Sequence, residues 1–178
     1  DMICPSHGII WRQNPMQIVE KYQAWCSGYQ EHQITIAYDS MWGTTRNMAH
    51  AIADGISSYD PSLVIKIHSA PHESASDVVA DVFKSKAIAI GTSTINNGML
   101  SPVALLLQEL GGLKFKGKKA LSFGSHGWSG EGARDVHEIL AKSGFEMLCE
   151  PHRQAWVPTD KELADCFELG QKLAASIQ

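Results

Sequence analysis

The chain has 178 residues, enough for one domain with a sizeable core. Its 15 Lys and Arg stand against 19 Asp and Glu, a formal net charge of -4 without long charged blocks, which argues against a nucleic-acid binder. With 44% hydrophobic and 19% charged residues it is an ordinary globular mixture. No apolar run reaches the ~18 residues that a membrane span needs, so no membrane role is expected.

Residues 14–29 read as one amphipathic helix, with Ile18, Val19, Tyr22 and Trp25 on one side. An alternation of strands and helices begins after it. Residues 34–38 form the first strand and residues 45–58 a helix, its stripe being Met48, Ala49, Ile52, Ala53 and Ile56. Pro61 breaks that helix, residues 63–67 make a second strand, and Ser74 or Ser76 caps a short helix to about Phe83. Residues 87–90, ending in Gly91, are a third strand. Residues 102–110 are a helix with Pro102 in its first turn, ended by Gly111 and Gly112. Residues 119–123 are a fourth strand, and residues 132–143 a helix stopped by Gly144. A fifth strand at 145–149 is interrupted near Pro151 and resumes at 154–157. Thr159 or Asp160 caps a last helix to about Ile177. Five strands alternating with helices predict an α/β doubly wound fold with a mostly parallel sheet. Residues 31–178 carry this repeat. Residues 1–30 stand outside it and read as the tail of a preceding domain plus a connector. Because the sequence opens on Asp1, it is expected to be a fragment of a longer protein.

In such sheets, ligands bind beyond the carboxyl ends of the strands. The first of these loops holds Ser40, Met41, Trp42, Gly43, Thr44 and Thr45, hydroxyls around a glycine running straight into a helix, which suits a phosphate. The loop after the third strand runs Thr92, Ser93, Thr94, Ile95, Asn96, Asn97; its amides could bond the edge of a planar heterocycle, or Asn-Gly could be only a turn. The loop after the fourth strand holds Ser125, His126, Gly127, Trp128, Ser129 and Gly130. Trp42 and Trp128, hard to bury in such loops, suit aromatic walls around a flat ligand. Arg46 and His126 are candidate positive charges beside it.

Other readings fail on specific residues. No G-x-G-x-x-G occurs, and the four cysteines (Cys4, Cys26, Cys149, Cys166) form no C-x-x-C pair for zinc or a rubredoxin centre. Scattered thiols without a signal-like start fit a reducing cytoplasm. His68 and His72 are spaced by four, but Pro71 spoils a helix there, and both read as surface histidines.

The order S-M-W-G-T-T, G-T-S-T-I-N-N-G, F-G-S-H-G-W-S-G resembles the flavodoxin-like domain of flavodiiron proteins (A-type flavoproteins), most closely the flavorubredoxin branch. Upstream, P-S-H-G-I-I-W-R followed by Asn14 and Pro15 resembles the end of that family's metallo-β-lactamase-like diiron domain. The resemblance implies a flavodoxin-like five-stranded parallel sheet, order 2-1-3-4-5, with helices on both faces, and noncovalent FMN. Ser40, Met41, Gly43, Thr44 and Thr45 would hold the phosphate end; Thr92, Thr94, Asn96 and Asn97 the ribityl chain and ring edge; Ser125, Gly127, Trp128, Ser129 and Gly130 the other side of the ring. His7 matches an iron ligand, an orphan here because the H-x-H-x-D-H motif is absent. The resemblance further implies electron transfer from a rubredoxin-type donor to a diiron site of the opposite subunit in a homo-oligomeric nitric oxide or dioxygen reductase, with the domain not catalytic alone. The rival is an FMN-dependent NAD(P)H quinone or azo reductase on the same fold, using two-electron steps. A third reading is a receiver-like module that binds no flavin.

Overall fold

Six helices and seven strands follow the predicted alternation in a computed structural model that describes residues 1–178. The chain divides into two compact units, Asp1–Gln30 and Glu31–Gln178. The first holds helix α1 (Met16–Cys26) and an antiparallel bridge between Ile3 and Trp11; Tyr22 and Trp25 meet edge to face at 5.5 Å.

The second unit contains β1 (Gln33–Tyr38), α2 (Thr44–Tyr59), β2 (Val64–Ser69), α3 (Ala75–Lys84), β3 (Ala87–Ile95), β4 (Gly98–Met99), α4 (Ser101–Leu113), β5 (Lys119–His126), α5 (Glu131–Lys142), β6 (Glu146–Met147), β7 (His152–Ala155) and α6 (Asp160–Ala175). The parallel sheet runs β2-β1-β3-β5-β6, with β7 also paired to β5 and β4 folded antiparallel onto β3. Counting β6 and β7 as the interrupted fifth strand, this is the predicted order. The order reverses between β1 and β3, which makes their carboxyl ends the switch point.

The central strands β1, β3 and β5 are buried on both faces, while the edge strand β2 is largely exposed. Ile34 and Ile36 of β1 pack with Ala87 and Ala89 of β3 under α2 and α6; Ile88 and Ile90 pack with Val78, Leu106, Leu107, Val136 and Leu140 on the other face. β3 thus presents alanine to one layer and isoleucine to the other. α2 and α6 cross at two glycines. A Cβ on Gly55 would lie 2.0 Å from the Phe167 carbonyl oxygen, and one on Gly170 would lie 2.1 Å from that of Ile52.

Three features depart from the sequence expectation. β3 does not end at Gly91 but continues to Ile95 and turns back as β4, and β5 likewise runs past Phe123 to His126, so that Ser125 and His126 are its last strand residues rather than loop. α4 runs through Gly111 and Gly112 to Leu113 and ends on Lys114, at φ 49°. Its propensity deficit at the glycines is met by packing of Leu106, Leu107 and Leu110. His68 is not a surface residue: it is buried, with Nδ1 at 2.5 Å from a Glu73 carboxylate oxygen and Nε2 at 3.1 Å from one of Asp81. The His68 hydrogen bond holds the Glu73 carboxyl below its usual range.

Lys118 is also buried. Its Nζ donates to the Phe83 and Ser85 carbonyls at the end of α3, at 3.0 and 2.5 Å. Burial pulls its pKa down to about 8. An unfolded lysine titrates near ~10.4. Between these values the unfolded chain binds more protons than the folded one, so this group's contribution to stability rises with pH across that window and is fully present above it. Comparing the wild type with Lys118→Met, the difference in denaturant midpoint is expected to move toward the wild type from about pH 7 to about pH 10. A flat difference would show that the two carbonyls offset the burial.

Candidate functional site at the carboxyl ends of the strands

The loop after β1 is set by Asp39, whose backbone N–H donates to the Gly91 carbonyl at 3.1 Å and whose Oδ1 accepts from the Ser40 N–H at 2.7 Å. Gly43 then caps α2 at φ 82°, a left-handed conformation that glycine takes at little cost. The Arg46 guanidinium lies against Gly43, 3.3 Å from where a Cβ would stand. The first-turn N–H groups of α2 remain free for an anion, with the helix dipole behind them.

Beneath this loop three hydroxyls from three segments form a triangle. Thr45 Oγ1 is 3.0 Å from Ser93 Oγ and 2.9 Å from Ser125 Oγ, and the two serines are 3.3 Å apart. Thr45 is fully buried, and Ser93 and Ser125 nearly so. Three hydroxyls carry three donors, and three mutual bonds use them all. The triangle therefore ties the ends of β1–α2, β3 and β5 together.

A cleft of about 410 Å³ opens above it, lined by Met41, Trp42, Thr44, Ser93, Thr94, Ser125, His126, Gly127, Trp128, Trp156 and Val157. This volume is in the range of small-molecule sites. The lining holds no Lys, Arg, Asp or Glu, and His126 is its one titratable side chain. Trp42 and Trp128, both in this lining, are 88% and 89% exposed.

The remaining expected residues take other positions. Thr92 is buried and its hydroxyl is used internally, donating to the Ser93 carbonyl and accepting from the Leu100 N–H, both at 3.0 Å. Thr94 accepts from the Gly132 N–H at 3.2 Å, tying β3 to the start of α5. Ile95, Asn96 and Asn97 are exposed at the hairpin tip, the asparagines at φ 48° and 58° in the pattern of a two-residue I′ turn. The turn is Asn-Asn, not Asn-Gly. Asn96→Ala is expected to cost about 1 kcal/mol through the left-handed backbone and Asn96→Gly nearly nothing, read from urea midpoints. Gly130 caps α5 at φ 75°, where a Cβ would meet the His126 ring at 2.7 Å. The Ser129 hydroxyl donates to the Glu131 carboxylate, which lowers the Glu131 pKa. His7 is exposed in the first unit, and no group of three or more His, Cys, Asp or Glu side chains is placed to hold a metal.

Trp156 and Val157 are cleft residues that sequence reasoning missed, because residues 154–157 read as strand. The available signal was a tryptophan at the carboxyl end of a parallel strand, the position that marked the other loops.

Two buried polar atoms in this region have no partner in the protein: Ser40 Oγ and His126 Nδ1. Buried polar groups are nearly always satisfied. A glycine-capped helix start with neutral donors, two orphaned polar atoms and tryptophan walls together fit a flat heterocycle with a phosphate tail, as the resemblance to FMN-binding domains implies.

A family model for flavodoxins matches residues 36–170. An anaerobic nitric oxide reductase flavorubredoxin of Vibrio vulnificus is 47% identical over 174 residues, covering 98% of this chain and 35% of that protein. The rubredoxin oxygen:oxidoreductase of the anaerobe Desulfovibrio gigas superposes with a TM-score of 0.89 at 31% identity, over 99% of this chain and 44% of that one. An archaeal flavodoxin matches at a TM-score of 0.74 and 31% identity, over 82% of this chain and 98% of that one. The chain spans about a third of the length of the curated relatives it matches.

Proposed function

The chain belongs to the flavodoxin family, and from that premise we propose that it binds FMN noncovalently and passes single electrons, with no substrate chemistry of its own. The observation that carries the reading is the joining, in one cleft, of a donor-rich helix start with tryptophans from three loops. The first-turn N–H groups of α2 with the Ser40 and Thr44 hydroxyls hold the phosphate end. Neutral donors at a helix N-terminus suit a tightly held monoester. Trp42 and Trp128 flank the ring and exclude water from its faces. Thr45, Ser93 and Ser125 fix the spacing of the three loops, so donors are in place before the ligand arrives. Thr94 with the Asn96–Asn97 hairpin borders the ribityl side. FMN, when bound, supplies reversible one-electron chemistry. The protein sets its potentials through ring contacts, hydrogen bonds and nearby charge, of which His126 and Arg46 are the candidates.

The same reading extends to a parent protein. The chain is the flavin domain of a flavodiiron nitric oxide or dioxygen reductase in the cytoplasm, with residues 1–30 the tail of its diiron domain and His7 an iron ligand there. Electrons come from a rubredoxin-type donor and go to the diiron site of the opposite subunit of a homo-oligomer.

The test is an absorption spectrum of the purified chain before and after adding FMN, then an anaerobic reductive titration. A flavin spectrum reduced in two one-electron steps supports the carrier. Rapid direct reduction by NAD(P)H in one two-electron step supports the quinone or azo reductase instead. A chain that takes up no FMN overturns both.

A further inference from the structure

Trp156 occupies a backbone conformation that does not suit it. Its φ is 57°, in the left-handed region where a bulky side chain is a genuine outlier. Burial does not explain the choice, since the residue is 65% exposed. The surrounding structure holds it in place. β7 pairs with β5 up to Ala155 opposite His126, and the Trp156 N–H donates to the His126 carbonyl at 2.8 Å. Beyond it, Pro158 is buried and restricts Val157 to extended backbone. The ring is thereby laid over Gly127, where a Cβ would stand 3.4 Å from Cη2 and Cζ3, and its centroid is 6.0 Å from that of Trp128 at 56°. Strained residues of this kind gather at binding sites, where the surrounding structure over-determines them.

We propose that Trp156 is a positioning residue: it backs Gly127 and Trp128 and so sets where the aromatic wall of the cleft stands against the bound ring. This rests on the FMN reading above. Glycine or asparagine would fit the backbone at lower cost, so the ring itself is what the position retains. Removing the ring frees the Gly127–Trp128 segment to move while leaving the core layers and the hydroxyl triangle intact. The consequence falls on the flavin's binding and its potentials rather than on folding.

The experiment compares Trp156→Gly and Trp156→Phe with the wild-type chain. Thermal midpoint, FMN dissociation constant by flavin fluorescence, and the separation of the two one-electron potentials are measured for each. Trp156→Gly is expected to keep or raise the midpoint, because it relieves the left-handed strain. It is expected to weaken FMN by about tenfold and to shift the separation of the potentials. Trp156→Phe is expected to restore both toward the wild type. A Trp156→Gly chain that binds FMN as tightly as the wild type with the same potentials overturns the proposal. So does equal loss in both variants, or a Trp156→Gly chain whose midpoint collapses, which would make the role purely structural. A wild-type chain that binds no FMN overturns the FMN reading and this inference with it; unchanged binding in Trp156→Gly overturns the inference alone.

Discussion

Gly170→Ala is expected to cost about 2 kcal/mol of stability, whereas Gly112→Ala should gain about 0.5–1 kcal/mol. Both glycines lie inside helices, where alanine is intrinsically preferred. Gly112 is exposed and a Cβ there meets nothing within 4 Å, so the propensity gain is realised. At Gly170 the added methyl would lie 2.1 Å from the Ile52 carbonyl oxygen, and that oxygen belongs to helix backbone. The reciprocal contact of Gly55 with the Phe167 carbonyl prevents α2 and α6 from sliding to make room. The helices must part, losing close packing and backbone contacts between them. Overpacking of ~1–3 kcal/mol then outweighs the propensity gain, and for a domain of this size each kcal/mol moves the midpoint by about 2–4 °C. Thermal melts of the two variants decide the matter. A Gly170→Ala chain as stable as the wild type would mean that the helices separate freely. Because α2 begins at the phosphate-type loop, loosening it should also weaken FMN.

The alternation of strands and helices was legible because most strands are short apolar runs bounded by glycine, proline or polar turns. The three loops were legible for a related reason: hydroxyls, glycines and tryptophans at strand ends have little business in a core. What the sequence hid depends on which groups pair, near or far along the chain. Thr94 and Ile95 sit in a stretch of hydroxyls and asparagines that reads as loop, and only their registry with Met99 and Gly98 makes them strand. His68 looks exposed beside Pro71, yet the two carboxylates that receive it come from Glu73 and from Asp81 on the next helix. Thr45 and Thr92 read as ligand donors by position, but their hydroxyls are bonded within the protein. Composition locates a site; it does not say which hydroxyl faces in and which braces the frame.

Ser40→Ala is expected to change the chain in opposite directions with and without FMN. Ser40 Oγ is buried and has no partner in the protein. A buried hydroxyl left unpaired costs about 1–3 kcal/mol, so removing it should stabilise the flavin-free chain by ~1 kcal/mol. A donor to a charged phosphate contributes about 1.5–3 kcal/mol, so the same change should weaken FMN by roughly 10- to 100-fold. At a concentration about 100 times its dissociation constant, a ligand adds ~2.7 kcal/mol to stability, and about 1.3–2.3 kcal/mol of that is lost when affinity falls by this factor. Thermal midpoints as a function of FMN concentration should therefore cross: Ser40→Ala melts higher than the wild type without flavin and lower with it. Thr45→Val supplies the contrast. Its hydroxyl is one corner of a closed triangle, and its loss should lower the midpoint at every FMN concentration. If Ser40→Ala instead lowers the flavin-free midpoint, its hydroxyl is part of the frame like Thr45, and the phosphate must be held by the helix start and Thr44 alone.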